Sequence, residues 1–527
     1  MNHSHARGRS VLGIPLLILL VAFAYAPSLL NGWVWDDHAL IENEPAVNGS
    51  RPWTELWTQP VRHGALALPF SRPLPMTVHA VLRAVAGPNP ALFHLASLLA
   101  HAAVAALFFL LLIRCGAPSW AAWWASALYA VHPFHTAAVS YAAGFADPLA
   151  AVFSLLALLA WHSAADAFAS SPHGSGWQKS LALGLASWLG AMLCKEWAAL
   201  VPVAGLCLLA GRAGARFWIF SAVGAVFVLA MERCYRSEIF AGAQLLASPD
   251  RPLGERWISA IAALGFYVAG GVFPWVLRMD RVESPADPAF WGWFAAAILI
   301  LFWVVRERRR RAAWLREPGV TRGVLWFLSF WIVHSQILVS LNAPMAEHWM
   351  YFAYLGLAYA GAMLAARFHS RVTPQSRRVA LILAMGALAF WTTRTFLRQF
   401  DWRDDETFFT ANLKAGANAG RSYFSLAEVL ANRGEYSRAA TLFETGLSRD
   451  PRSDRARYDL ARCYELMGER GRARAWVDEL LSEKPGDADL IAFRKRLSTG
   501  AGSATPVSPR KAPGTKPPGP ARKKSKA

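Results

Sequence analysis

The sequence predicts an all-α protein: a polytopic membrane helix bundle followed by a smaller water-soluble helical domain. The chain of 527 residues is 55% hydrophobic and contains 24 Trp, which is too apolar for a soluble protein of this size. Its apolar residues form long runs between residues 11 and 396, whereas residues 401–527 are polar and charged. Runs of roughly 18 or more apolar residues are typical of membrane helices. We therefore predict a membrane domain over residues 1–400.

Eleven apolar runs are predicted to cross the membrane. A further run at 258–277 contains Gly270, Gly271 and Pro274, and we predict that it is a re-entrant helix, since broken backbone is tolerated only where protein or a cavity surrounds it. The eleven predicted spans are residues 11–30, 91–113, 118–136, 147–163, 180–194, 197–211, 217–232, 290–305, 322–340, 350–366 and 379–396.

Arginine placement predicts the orientation of these spans. Cytoplasmic loops carry an excess of Lys and Arg, and the most basic loop is the run "RERRRRAAWLR" at 306–316. With a cytoplasmic N-terminus, all the arginine-rich segments fall on the inner side, and the C-terminal domain lies outside. The net charge of +19 is then explained by topology, and we predict no nucleic-acid partner.

The soluble domain, predicted over 401–498, contains a repeat of 34 residues, which is the period of tetratricopeptide repeats. Small residues recur where two helices would cross, and Pro closes the second helix. A partial repeat precedes them at 406–419. The α-solenoid is expected to bind a peptide or protein partner, with bracing of the membrane domain as the alternative. The residues spaced by 34 are Leu426 and Leu460, Ala427 and Ala461, Gly434 and Gly468, Ala439 and Ala473, and Pro451 and Pro485.

The segment 499–527 is rich in Pro, Gly, Ser and Lys. Such a composition cannot bury a core, so we predict a disordered basic tail.

Two adjacent carboxylates mark the first outer loop, residues 31–75. Asp36 and Asp37 lie in "NGWVWDDHALIENE", next to Trp33 and Trp35 at the membrane boundary. One Asp would suffice as a helix cap. Two neighbouring acids can tune each other's pKa, so a catalytic base is an equal alternative to a helix cap.

Further charged and histidine side chains gather in the outer junctions. "HPFHT" and the following Asp are a weak signal for a metal site. The adjacent Lys and Glu of "CKEW" lie in an apolar stretch, where charged residues usually have a function. The Arg of "SRPLP" is a candidate phosphate clamp. Together these residues suit chemistry on a lipid-anchored phosphate. They are Arg72, His132, His135, Asp147, Lys195, Glu196, Glu347, His348 and Tyr351.

The order of these motifs resembles one family. "NGWVWDDHALIENE", "SRPL", "LYAVHPFHTAAVSYAAGFADPLA", "LCKEW" and "AEHWMY", followed by tetratricopeptide repeats, are similar to the TMTC-type O-mannosyltransferases and their bacterial relatives. The resemblance covers about residues 25–485. It implies a GT-C glycosyltransferase fold and transfer of a sugar, mannose or a similar hexose, from a polyprenyl-phosphate donor to a hydroxyl of a protein or glycan acceptor, outside the membrane.

The resemblance implies roles for individual residues. Asp36 or Asp37 would be the catalytic base, and a direct displacement gives inversion. Arg72, Lys195, His132 and His348 are expected to hold the donor phosphate. The supporting residues are His135, Asp147, Glu196, Glu347 and Tyr351. The second Asp either tunes the pKa of the first or binds a divalent metal, and no other cofactor is expected.

The chain departs from the family pattern at three places. It has Ala137 where the family usually has Glu, Phe145 where it usually has Arg, and Glu347–His348 where it usually has "AER". The loss of cations favours the alternative of an inactive membrane scaffold whose repeats assemble a periplasmic complex. A transporter is disfavoured, because the acids gather at one surface rather than at the midplane. We expect a bacterial inner-membrane location.

Overall fold

The computed structural model is almost entirely helical. It describes residues 13–60, 62–63, 66–67, 71–209, 215–240, 252–279, 288–309, 317–337, 345–369 and 371–499. Within these ranges, the extended structure is a small hairpin of β1 (Arg62–His63) and β2 (Leu66–Ala67) in the first loop. The predicted tail after residue 499 and most of the basic run at 306–316 lie outside the described residues.

The N-terminal part is a bundle of apolar helices. Its α-helices are α1 (Gly13–Tyr25), α2 (Pro45–Asn48), α3 (Glu55–Thr58), α4 (Pro73–Ala86), α5 (Ala91–Arg114), α6 (Ser119–Ala130), α7 (Thr136–Val139), α8 (Ala146–Ser170), α9 (Gly176–Met192), α10 (Val201–Leu209), α11 (Ala215–Phe240), α12 (Leu253–Val272), α13 (Pro288–Arg309), α14 (Pro318–His334), α15 (Ala353–His369) and α16 (Pro374–Arg398). Short 3₁₀ or π turns lie at Ala26–Leu30, His38–Glu42, Pro133–His135, Ala142–Phe145, Glu196–Leu200, Glu347–Met350 and Gln399–Trp402.

Each predicted span overlaps a helix among the described residues, and the chain is a polytopic membrane protein. Five helical segments among the described residues are long and apolar enough to cross a membrane, including Ala91–Arg114 and Ala142–Ser170. The number of crossings stays a prediction. The run at 258–277 forms a helix that includes Gly270 and Gly271, ends at Val272 and continues without helical structure from Phe273, just before Pro274. Its re-entrant course stays a prediction.

Close helix packing in the bundle depends on small residues. A Cβ on Gly323 of α14 would lie 2.4 Å from the carbonyl oxygen of Gly356 on α15, and the reverse distance is 2.6 Å. Only glycine on both helices permits this approach. The apolar core of the bundle is continuous from α1 to α15.

The C-terminal part consists of paired antiparallel helices. These are α17 (Asp405–Lys414), α18 (Gly420–Asn432), α19 (Tyr436–Leu447), α20 (Asp454–Leu466), α21 (Arg470–Glu483) and α22 (Ala488–Thr499). The predicted small residues Ala427, Ala439, Ala461 and Ala473 are fully buried. Gly434 and Gly468, in the turns of successive repeats, have φ angles of 84° and 81°, which favour glycine. The α-solenoid predicted from the 34-residue period is confirmed.

The repeats share a hydrophobic core with the first outer loop. Val34, Ala137, Tyr141 and Met279 of the membrane domain pack in one cluster with the aromatic side chains of α17. Backbone and amide hydrogen bonds reinforce this contact, from Gly32 N–H to the Arg403 carbonyl (2.9 Å) and from Met279 N–H to the amide oxygen of Asn412 (2.6 Å). The first loop and the repeats therefore lie on the same side of the bundle.

Candidate functional site

Asp37 is a buried anchor of the first loop. Its side chain is 0% exposed, and both carboxylate oxygens accept backbone hydrogen bonds, from Ala143 N–H at 2.7 Å and Val34 N–H at 3.1 Å. Burial raises the pKa of Asp37 to about 7, against the lowering effect of these two hydrogen bonds. Asp37 therefore fastens the loop to the turn before α8.

Asp36 differs from Asp37 in its surroundings. Its side chain is partly exposed. It accepts a hydrogen bond from the hydroxyl of Tyr141, which also lies within electrostatic range of Asp37 and Arg72. Of the two predicted bases, Asp36 is the one that is accessible to solvent.

Arg72 and Glu196 form a two-pronged ion pair. The Nε and Nη2 atoms of Arg72 each lie 3.1 Å from an oxygen of Glu196. Burial by itself lowers the pKa of Arg72, but the charge and hydrogen bonds of Glu196 outweigh it and leave the pKa raised. Such a planar fork is also the geometry with which Arg binds phosphate oxygens.

Lys195 pairs with Asp147 rather than with its neighbour Glu196. Its Nζ lies 3.1 Å from Oδ2 of Asp147, whose Oδ1 accepts the indole N–H of Trp197 at 2.9 Å. The side chains of Lys195 and Asp147 are 13% and 1% exposed. Burial lowers the pKa of Lys195, and the charge of Arg72 adds to this effect, whereas Asp147 and Glu196 oppose it. Both predicted cations are thus held by carboxylates.

His348 adjoins this group, while Glu347 points elsewhere. His348 lies within electrostatic range of Asp147, Lys195 and Arg72, and burial lowers its pKa to about 3, so it is neutral at pH 7. Glu347 is buried and accepts the backbone N–H of Arg278 at 2.7 Å. Glu347 therefore supports the segment after α12.

The remaining predicted residues form a separate aromatic cluster. His132 caps the turn at 133–135 through Phe134 N–H and donates from Nε2 to the Gly271 carbonyl at 3.1 Å. The phenol of Tyr351 bonds Nδ1 of His101 at 2.6 Å. His135 is fully buried between their rings, and its nitrogens have no hydrogen-bond partner within the described part of the chain. This cluster braces α6, α12 and α15 behind the charged group.

Two departures from the family pattern fit their packing. Ala137 is 1% exposed inside the core shared with the repeats, where an unpaired carboxylate would be costly. Phe145 is also buried and packs against the ring of His79, with centroids 5.5 Å apart. The loss of charge at both positions is matched by an apolar environment.

The sequence reasoning missed a clamp between the first loop and the repeats. His38 lies 2.6 Å from Glu42 and 3.0 Å from Asp405, the first residue of α17. Asp405 also accepts the backbone N–H of Trp35 at 2.8 Å. The hydrogen bond to Asp405 raises the pKa of His38 to about 9, against the opposing effect of burial. The i, i+4 spacing of His38 and Glu42 was a signal for half of this clamp.

The described residues contain no group of three His, Cys, Asp or Glu side chains arranged to hold a metal ion. A divalent metal at Asp37 would also have to displace two backbone hydrogen bonds.

We expect the stability of the protein to fall as the pH rises from about 3.8 to about 7, the interval between the ordinary pKa of Asp37 and its raised value. In this interval the folded state keeps a proton on Asp37 that the unfolded state has lost. Thermal unfolding measured across the interval should show this decrease, and Asp37→Asn should reduce it. An unchanged pH profile in the variant would contradict the assignment.

A second pH effect is expected at the clamp. The raised pKa of His38 means that its stabilising contribution is present below about pH 6.5 and is lost as the pH rises through about 9. The protection of backbone amides 31–42 and 399–414 from hydrogen exchange should therefore fall at high pH. Asp405→Asn should give a similar loss of protection at pH 7, whereas Asp450→Asn, at an exposed position of the repeats, should not. Equal exchange in all three proteins would argue against the clamp.

These features define a polytopic membrane protein with tetratricopeptide repeats docked over the acidic first loop. The tetratricopeptide repeat family model matches residues 430–497. No solved structure matches the chain.

Along most of its length the chain is similar to TMTC proteins, as the motifs predicted. The protein O-mannosyl-transferase TMTC3 of Mus musculus is 22% identical over 88% of this chain and 54% of its own length. Tmtc1 of Drosophila melanogaster is 22% identical over 83% of this chain and 61% of its own length. TMTC2 of Homo sapiens is 30% identical over 37% of this chain and 23% of its own length. The chain thus spans about half the length of TMTC3.

Proposed function

We propose that this protein is a membrane glycosyltransferase that moves mannose or a similar hexose from a polyprenyl-phosphate donor to a hydroxyl of a protein or glycan acceptor. The observation that carries the proposal is a partly exposed Asp36 at the end of an electrostatically linked chain of charged side chains, of which Asp147 is buried and Glu196 is exposed. Tyr141 connects Asp36 to Arg72, and Arg72 interacts with Glu196, Lys195 and Asp147. The names of the relatives support the same reaction class.

Asp36 is the proposed base, and Asp37 positions it. The acceptor hydroxyl loses its proton to Asp36 while its oxygen forms a bond to the anomeric carbon of the sugar. The bond from that carbon to the phosphate oxygen breaks, and the electron pair leaves with the phosphate. Attack from the face opposite the phosphate inverts the anomeric configuration. Asp37, locked by two backbone N–H groups, fixes the backbone of its neighbour.

Arg72 and Lys195 are the proposed phosphate ligands. A donor phosphate would compete with Glu196 for the guanidinium and with Asp147 for the ammonium, so each carboxylate orients its cation before the donor binds. The neutral His348 would contribute a hydrogen bond rather than a charge. His132 stays a predicted ligand, although its Nε2 is bonded to the Gly271 carbonyl.

The proposed location is a bacterial inner membrane with a cytoplasmic N-terminus. The first loop and the repeats touch each other, so the acceptor domain and the site share one side. The excess of arginine in the opposite loops favours the periplasm for that side. The membrane domain is proposed over 1–400, the repeats over 401–498 and a basic tail over 499–527.

An inactive scaffold is the second candidate. The pairing of Arg72 and Lys195 with carboxylates favours it, because neither cation would attract a phosphate at full strength. In that case the repeats bind a periplasmic partner and the membrane domain anchors them.

Glycan mass spectrometry of envelope proteins and lipid-linked sugars tests the proposal. We expect cells with the wild-type chain to carry a hexose on a protein or glycan that cells with Asp36→Asn lack. Membrane levels of the two proteins must be equal. An unchanged glycan profile would favour the scaffold.

A further inference from the structure

A cavity lies between the first outer loop and the repeats, with a volume of about 110 Å³. It is next to the candidate base, because Trp35 forms part of its wall and Asp36 follows Trp35 in the chain. Its other walls come from the segment after α12 and from α17 and α18. The walls include the side chains of Trp35, Met279, Phe408, Phe409, Asn412 and Ser425.

Several contacts together fix the position of Trp35. Its φ angle of 56° lies in the left-handed region, which a bulky residue adopts only when its surroundings impose it. Its N–H is held by Asp405, and its ring stacks between Tyr141 and Phe408, with centroids 6.1 and 5.9 Å away. Strain retained beside a candidate base indicates that this wall serves binding.

Asn412 is fixed as firmly as Trp35. Its amide oxygen accepts Met279 N–H at 2.6 Å, and its amide nitrogen donates to the Phe408 carbonyl at 2.8 Å. With these groups engaged, the cavity offers aromatic and thioether surface beside the polar side chains of Arg421, Ser422 and Ser425. The larger share of the wall is apolar, which suits an aliphatic guest.

The size of the cavity limits the guest. An apolar cavity of about 150 Å³ holds a benzene molecule, so 110 Å³ suits an aliphatic side chain such as that of Val or Leu. The cavity also adjoins α18, the first helix of a full repeat, and arrays of helical repeats bind extended peptides on their concave side. A polypeptide therefore fits both the cavity and its continuation better than a free sugar does.

We propose that this cavity is an acceptor subsite, which takes an aliphatic side chain of the acceptor polypeptide and so brings a nearby Ser or Thr hydroxyl to Asp36. This inference rests on the proposed function. It adds to the proposed function a preference for an aliphatic residue close to the modified hydroxyl.

Peptide binding tests the subsite without requiring turnover. The probes are short Thr-containing peptides that carry Leu, Ala or Phe beside the Thr, and a version with photo-leucine at that position. The full-length protein in detergent is incubated with each peptide, and photo-crosslinks are mapped by mass spectrometry. We expect crosslinks at Trp35 and within residues 408–425, and binding of the Leu peptide about ten-fold tighter than that of the Ala peptide.

Ser425→Leu fills the cavity from its wall and should weaken binding of the Leu peptide by about ten-fold. Ser437→Leu, an equal change at an exposed position of α19, should not. The peptide series uses the wild-type protein, so it holds even if Ser425→Leu fails to fold.

Three outcomes would overturn the inference: no peptide binding, crosslinks elsewhere, or equal affinity for the Leu and Ala peptides. Displacement of the Leu peptide by a free glycan that binds more tightly would also overturn it. The proposed function is judged separately, by sugar transfer to these peptides. Selective peptide binding without transfer would support the subsite and contradict the transferase. Transfer without side-chain selectivity would support the transferase and contradict the subsite.

Discussion

Asp36→Asn should lower sugar transfer by roughly 10²- to 10⁴-fold, the usual contribution of a general base, and leave thermal unfolding unchanged. The amide keeps the shape of the side chain and an acceptor for the Tyr141 hydroxyl, but it cannot take a proton at neutral pH. The measurement is transfer of labelled mannose from a synthetic polyprenyl-phosphate mannose to a Thr peptide by purified protein.

Two further variants serve as controls for the Asp36→Asn measurement. Asp450→Asn, the same change at an exposed position, should keep full activity. Asp37→Asn should lose activity together with stability, since an amide cannot accept both backbone N–H groups, and an unsatisfied buried donor costs about 1–3 kcal/mol. If Asp36→Asn were active while a stably folded Asp37→Asn were inactive, the base would be Asp37.

Lys195→Met should destabilise the fold by about 3–5 kcal/mol, because it leaves Asp147 as a buried carboxylate without its cation. Unfolding of the detergent-solubilised protein, followed by tryptophan fluorescence, measures the loss. Adding Asp147→Asn should restore part of the stability, since the double variant leaves no unpaired charge at this buried pair and the Asn oxygen can still accept the Trp197 N–H.

The exposed pair of Arg51 and Glu55 provides the control. Arg51→Met removes an equivalent charge at the surface, where an ion pair is worth about 0–1 kcal/mol. Comparable losses for Lys195→Met and Arg51→Met would show that Lys195 and Asp147 are not a buried pair. Failure of Asp147→Asn to rescue Lys195→Met would assign the loss to packing of the long side chain rather than to charge.

Most of the architecture could be predicted from the sequence. Apolar runs located the long bundle helices, such as Ala91–Arg114 and Pro374–Arg398, because solvation by lipid requires uniform apolarity over a fixed length. Helix ends were predicted less well: the span predicted at 118–136 ends as a helix at Ala130, and a 3₁₀ turn at Pro133–His135 and the short helix Thr136–Val139 follow.

The candidate site was predicted as a list of residues, and its pairing was not. Adjacent in sequence, Lys195 and Glu196 were expected to act together, but the extended backbone at Lys195 directs them to different partners, Asp147 and Arg72. His132, which was predicted to bind the donor phosphate, lies in an aromatic cluster with the predicted supporting residues His135 and Tyr351. Pairing depends on side-chain directions that local sequence does not encode.

The sequence by itself determined the helices, the repeat and the identity of the acidic loop, since each follows from a local pattern of apolar, small or charged residues. Only the tertiary structure decided how Asp36 and Asp37 differ. One is partly exposed beside Tyr141, and the other is sealed by Val34 and Ala143. The contact of Asp405 with Trp35 and His38 likewise depends on the tertiary structure. Groups some 370 residues apart in the chain meet only when the whole bundle folds, and burial then assigns different chemistry to identical side chains.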